Sequence, residues 1–376
     1  MTKDNNRRSF LKRITAVTSA ALVSRNSVFA SSKSSDMSKE NVTNIEPLGF
    51  QWKASDPFLF CVHHEDFFPK GNGKMGPASE LLKGRDIGQD FLIKDGWRMY
   101  HGKTIPGFPS HPHRGFETIT VVRKGIVDHT DSLGAAGRYG NGDVQWMTAG
   151  KGIQHAEMFP LVKDDEENPM ELFQIWLNLP RKSKFVEPHF KMLWGESIPK
   201  HTHKDGQNNK TLVEVIAGKI EMDKAPAPPP NSWASNKDNE VAIWNIRMEA
   251  GAEWTLPKAA AGINRTLYFY KGDVLNVDGT EIKNYHSAQL QPNEDLIVKA
   301  GKENCNALIL QGRPINEPVV QHGPFVMNTR EEIQQAFEDY QRTEFGGWPW
   351  NSNAPVHKKT EGRFALHADG KLEKKG

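Results

Sequence analysis

From about residue 46 onward the apolar positions come in short runs cut by glycine, not at helical spacing. Phe116 to Val122 is rich in threonine and valine, Gly125 interrupts it, and Ile126 and Val127 resume it. Gly140-Asn141-Gly142-Asp143 reads as a turn, Val144 to Met147 as the next strand, and Leu172 to Leu179 as another. Pro180 closes that run, and a second β-rich half begins near residue 186. It contains Leu212 to Ile220, Ala242 to Met248, Thr266 to Tyr270 and Asp295 to Lys299. Within it Lys224 to Asn239 is rich in proline, alanine and asparagine and reads as a long exposed loop. Strands at this spacing predict an all-β chain of two barrels or sandwiches of similar size, over residues 46–185 and 186–315. The length of 376 residues suits two separate cores.

The periodicity changes once, near the end. Thr329-Arg330-Glu331-Glu332 has the form of a capping box, in which a threonine hydroxyl and a glutamate each take one free backbone N–H. Ile333, Ala336, Phe337 and Tyr340 follow at helical spacing and form one apolar stripe. The spacing predicts a single amphipathic helix docked on a barrel. The aromatic segment Phe345 to Trp350 then packs the tail of region 316–376 down.

Charge alters the picture at the start. Residues 1–30 carry six lysines and arginines against Asp4, whereas the whole chain has a net charge of +2, so the remainder is mildly acidic. A mildly acidic body is a poor nucleic-acid binder, because affinity there comes mainly from cationic contacts to phosphates, so no nucleic-acid partner is expected. Arg7-Arg8-Ser9-Phe10-Leu11-Lys12, followed by a weakly apolar stretch from Ile14 to Val23 and by Val28-Phe29-Ala30, resembles a twin-arginine export signal. That resemblance implies a signal peptide over 1–30, engagement of the Tat translocase through Arg7 and Arg8, and a periplasmic or otherwise exported location. Residues 31–45 read as a flexible leader. No apolar run after residue 30 is long enough to span a bilayer, so no stable membrane anchor is expected. Cys61 and Cys305 are too few for a disulfide framework and read as two core positions.

The candidate chemistry lies in two dyads. In an extended strand, alternate side chains share a face, so His111 and His113 point the same way, and so do His155 and Glu157. Two such strands side by side bring three imidazoles and a carboxylate to one point, a donor set for a divalent first-row metal. A third pair, His201 and His203, sits among polar residues and reads as a solvated loop. His101 and His129 lack a paired ligand and read as ordinary polar positions.

The run from His111 to Thr118, Asp131-Ser132-Leu133-Gly134, Gly142 to Ile153, His155-Ala156-Glu157-Met158 and, later, Gly323 to Thr329 together resemble the pirin family of bicupins. The resemblance implies two packed cupin jelly rolls with a C-terminal helix and tail. It implies one divalent metal on His111, His113, His155 and Glu157, with iron the usual assignment and Mn, Ni, Co, Cu or Zn also accommodated. Glu117 stands where many single-domain cupins place a glutamate ligand. In pirins that role passes to the second dyad, so Glu117 reads as a supporting or structural residue. The second half has no histidine pair near Gly262 to Thr266 and is expected to be metal-free. The resemblance also implies quercetin 2,3-dioxygenase activity on flavonol-like aromatic substrates and O2, with Glu157 as candidate base. Phe116, Trp146, Met147 and Phe173 are candidate pocket residues, with core packing as the alternative for each. Two other readings stay open: a metal-binding or redox-sensing regulator of a partner, and a cupin enzyme with another small substrate.

Overall fold

The structure, a computed structural model, describes residues 41–376, so the Arg7-Arg8 motif and the apolar stretch after it lie outside the described residues. In chain order the first strands are β1 (Val42–Pro47), β2 (Gln51–Lys53), β3 (Phe58–Phe68), β4 (Gly107–His113), β5 (Phe116–Lys124) and β6 (Ile126–Asp131). They are followed by β7 (Ala136–Gly140), β8 (Val144–Thr148), β9 (Ile153–Met158), β10 (Asn168–Asn178), β11 (His189–Leu193) and β12 (Lys200–Lys204).

Two six-stranded sheets enclose the first barrel. One has the order β11-β8-β5-β10-β3-β2; the other runs from the hairpin Arg363–Leu366/Leu372–Lys375 through β7, β6 and β9 to β4. The second barrel is a seven-stranded sheet, in which β1 and β12 are the edges, over a four-stranded one. Its interior is filled by Val213, Trp244, Ile246, Trp254, Leu267, Phe269 and their neighbours. The two barrels meet along a third cluster. Ile119, Val121, Trp146, Phe173 and Ile175 from the first pack there against Ile243, Tyr268, Tyr270 and Leu308 from the second. No helix among the described residues is long and apolar enough to cross a membrane.

The helix appears where the stripe predicts it, as α1 (Arg330–Thr343), with both halves of the Thr329/Glu332 capping box formed. It buries Ile333 and Ala336 against Phe325 and Met327. Cys61 and Cys305 are buried and unpaired, one between the barrels and one inside the second.

Four sequence expectations change. Val42–Pro47 is not a flexible leader but an edge strand of the second barrel, paired with His286–Leu290. The boundary near 185 shifts, because β11 pairs with β8 and so completes a first-barrel sheet. His201 and His203 lie on a strand, not a loop: β12 pairs with Lys210–Ala217, and His201 Nδ1 sits 2.9 Å from the Asp223 carboxylate. The proline-rich loop is not wholly exposed, since Ser232 and Asn239 are buried where it folds over the seam between the barrels. Three of these differences have one cause: a strand edge or a loop is given its place by a partner distant in sequence, which local pattern does not contain. The His201/His203 strand is instead one arm of a local hairpin whose polar residues carry no apolar alternation.

Candidate metal centre

β4 and β9 run antiparallel, with His111 opposite His155 and Phe108 opposite Glu157. Alternation places His111 and His113 on one face of β4 and His155 and Glu157 on the same face of β9. The turn that carries β4 into β5 passes Gly115, whose φ is +86° and where an added Cβ would lie 2.0 Å from the Val326 carbonyl oxygen, so only glycine fits. The buried Lys184 ammonium ties the same turn down by donating to the carbonyls of Gly115 and Val326.

The three imidazoles converge. Ring centroids are 4.8 Å apart for His111 and His113, 4.5 Å for His111 and His155, and 4.8 Å for His113 and His155. One ligand nitrogen from each lies within 4.8 Å of the others, and this is the one such group of three or more potential ligands among the described residues. His111 Nδ1 is 2.9 Å from the Pro109 carbonyl, which fixes the proton on Nδ1 and turns the Nε2 lone pair toward the cluster. Both ring nitrogens of His155 are buried with no hydrogen-bond partner. Leaving such groups unsatisfied costs about 1–3 kcal/mol each, and a cation taking the lone pair removes part of that penalty. The donor set and the orphaned nitrogens therefore fit a single metal ion.

Electrostatics keep these rings neutral. Burial pushes His111 down to about 4, and it holds His113 and His155 well below the ordinary imidazole range, with the neighbouring histidines adding to the effect. Neutral imidazole is the form that binds metal. Glu157 stands beside the cluster, with Oε2 3.9 Å from His155 Nε2. The Thr120 hydroxyl donates to it at 3.0 Å and the Gln174 amide at 2.8 Å. Burial raises its pKa despite those donors.

The same alternation sorts the other predicted residues. Phe116 faces the histidines: its ring lies 5.0 Å from His113 and stacks at 4.0 Å on Trp176, which is itself 5.3 Å from His113. Met147 is buried with Ala149 and Ile153. Trp146 and Phe173 are one residue out of phase with the inward-facing set and lie in the cluster between the barrels, so they are not pocket residues. Glu117 also faces away from the histidines. It accepts from the Thr148 hydroxyl at 2.6 Å and from the Ser232 hydroxyl of the second barrel's loop, and burial raises its pKa to about 7.

Several residues at the site are absent from the sequence reading. Thr120 was open to detection, being two alternations along β5 from Phe116. Gln174 and Trp176 required the pairing of β10 with β5. His129 is fully buried, not an ordinary polar position: its ring is 5.5 Å from His155, is stacked at 5.1 Å on Phe190, and is held by Asp131 at 3.3 Å. Only the β6–β9 register, which sets His129 opposite Glu157, brings it there. Phe108, 6.3 Å from His111, heads an aromatic wall with Phe91, Tyr100 and Phe159. On the reverse side, the neighbours of two ligands hold the helix. Arg114 donates to Asp339 at 2.9 Å, Gln154 donates to the Glu344 carbonyl at 2.6 Å, and Tyr340 donates back to Gln154 at 3.1 Å.

Comparison with known proteins shows what the chain is similar to. The Pirin family profile matches residues 75–177, and the profile of the Pirin C-terminal cupin domain matches residues 243–346. Human pirin is 36% identical over 68% of this chain and 82% of its own length. A Vibrio cholerae protein named as a proposed quercetin 2,3-dioxygenase is 37% identical over 64% of this chain and 80% of its own. The crystal structure of quercetin 2,3-dioxygenase from Acinetobacter baumannii superposes with a TM-score of 0.60 at 26% identity, covering 82% of this chain and 96% of that one. With both cupin profiles matched, and the three histidines gathered in the first barrel, the chain belongs to the pirin family.

Proposed function

We propose that this protein is a metal-dependent dioxygenase of the quercetin 2,3-dioxygenase type, acting on a flavonol-like aromatic substrate with O2. The observation that carries the reading is the three-histidine cluster with Glu157 beside it, set against aromatic rings. In this reading Glu157 is the fourth ligand, and iron is the metal assigned. The bound ion supplies Lewis acidity that polarises a coordinated oxygen. Phe108 and the Phe116–Trp176 stack flank the histidines and offer flat apolar faces to a flavonol. Glu157 accepts the proton of the flavonol hydroxyl, and Thr120 and Gln174 hold the carboxylate in place during the transfer. The overall reaction adds both atoms of O2, opens the central ring and releases carbon monoxide, so no external reductant is needed. Purified protein loaded separately with Fe, Mn, Ni, Co or Cu should consume O2 in step with loss of the quercetin absorbance. Absence of turnover in every metal form rejects the dioxygenase reading.

We also propose export by the twin-arginine route, on the strength of the Arg7-Arg8-Ser9-Phe10-Leu11 sequence. That route carries folded proteins, which lets the metal be taken up before export, away from Cu²⁺ and Zn²⁺ that such ligands bind more tightly than Fe²⁺. Changing Arg7 and Arg8 together to lysine should leave precursor in the cytoplasm. Unimpaired delivery of that variant rejects the signal.

A further inference from the structure

We propose that the cleft between the two barrels, remote from the histidines, binds a small organic carboxylate. The cleft has a volume of about 450 Å³ and is walled by β5 and β8 of the first barrel, by the second barrel's seven-stranded sheet, and by the C-terminal hairpin. Its lining carries four cations, Arg123, Lys200, Arg247 and Arg363, against two carboxylates, Glu196 and Glu214. That excess of cations sits on a described body that is otherwise slightly acidic. Leu212, half-buried, gives the cleft apolar surface, and Val121, Val144 and Ile216 beneath it are closed into the core.

The donors outnumber the acceptors that meet them. Arg123 is buried, with a side chain 6% exposed; it reaches Glu214 through one terminal nitrogen at 3.2 Å, and its Nε–H has no partner. Arg247 gives Glu214 one N–H at 3.1 Å; a guanidinium has five donors, so most of its fork remains open. The exposed Lys200 side chain makes no hydrogen bond or ion pair among the described residues. Arg363 is the exception, being held by Asp143 at 2.9 Å and by Glu196. A carboxylate suits what remains, because its two oxygens match a planar fork and a point cation beside it. An apolar ring or chain on the same molecule suits the floor. The site is separate from the metal centre: Arg123 is seven residues along β5 from Phe116, roughly 23 Å at strand spacing.

Salicylate and benzoate serve as probes, with inorganic sulfate as the control anion, in calorimetric titrations of the metal-loaded protein at physiological salt. Saturable binding is expected for the aromatic carboxylates and much weaker binding for sulfate. Substituting both exposed cations (Lys200→Ala with Arg247→Ala) should weaken binding about tenfold or more. His113→Ala, which disables the metal centre, should leave it unchanged. Three results would each overturn the proposal: no saturable binding of either carboxylate, equal affinity for sulfate, or loss of binding in His113→Ala with retention in the double variant. The last result would assign the probe to the metal instead.

Discussion

Burial makes each of the three imidazoles hard to protonate, with neighbouring histidines adding to the effect, and this sets the pH behaviour of the site. His111 titrates near 4 in the folded chain against an ordinary value of 6.5. Between those values the unfolded chain binds a proton that the folded one does not, so stability falls as pH drops from about 6.5 toward 4. Chemical denaturation of the metal-free protein should show its midpoint declining across that interval, whereas bound metal should be retained until the pH approaches 4, where the folded imidazole takes up its proton. Glu117 works in the opposite sense. Its folded pKa of about 7 lies above the ordinary 4.5, so its contribution is present below 4.5 and lost as pH rises through 7. The stability of the wild type relative to Glu117→Gln should therefore decrease between pH 5 and 8. A constant difference would contradict the buried, raised carboxyl. For the ligands, His113→Ala or His155→Ala should abolish stoichiometric metal by elemental analysis, and full occupancy in both variants would refute the assignment.

At the scale of the element, one residue of phase decides role. Thr120, Gln174 and Trp176, on β5 and β10, face the histidines, while Glu117 and Phe173 on the same two strands and Trp146 on β8 face the other barrel. Phe173→Ala should lower stability by about 3–5 kcal/mol and leave metal stoichiometry unchanged in the folded fraction. A Trp176→Ala variant should instead keep most of its metal while changing the environment of His113, visible in the imidazole NMR signals. The capping box gives a smaller and more local test. Thr329→Ala removes the acceptor for the Glu332 N–H and should cost about 1 kcal/mol. Because Arg114 and Gln154 bind that helix directly, faster amide exchange in α1 should spread to the flanks of β4 and β9.

The whole molecule is two barrels sharing a core, and the first barrel's inner β10–β5–β8 sheet has one face on the metal site and one on its neighbour. The barrels should consequently unfold in one transition, and two separated transitions in calorimetry would show the shared cluster to be weak. Much of this was open to a reader of the sequence. The i, i+2 spacing of His111/His113 and His155/Glu157 follows from strand alternation alone, and the capping box and apolar stripe of α1 are likewise local patterns. Which face of β8 and β10 looks at the histidines was not open, because strands buried on both sides place apolar residues on both faces and show no clean alternation. Nor was the burial of His129, the anchoring of Glu117 by Ser232, or the charged cleft, whose parts lie more than 200 residues apart. Local chain geometry thus determined the His111/His113 and His155/Glu157 dyads and the helix. Strand register and the docking of one barrel on the other, set by contacts between distant segments, decided which side chains surround the dyads and what lies between the barrels.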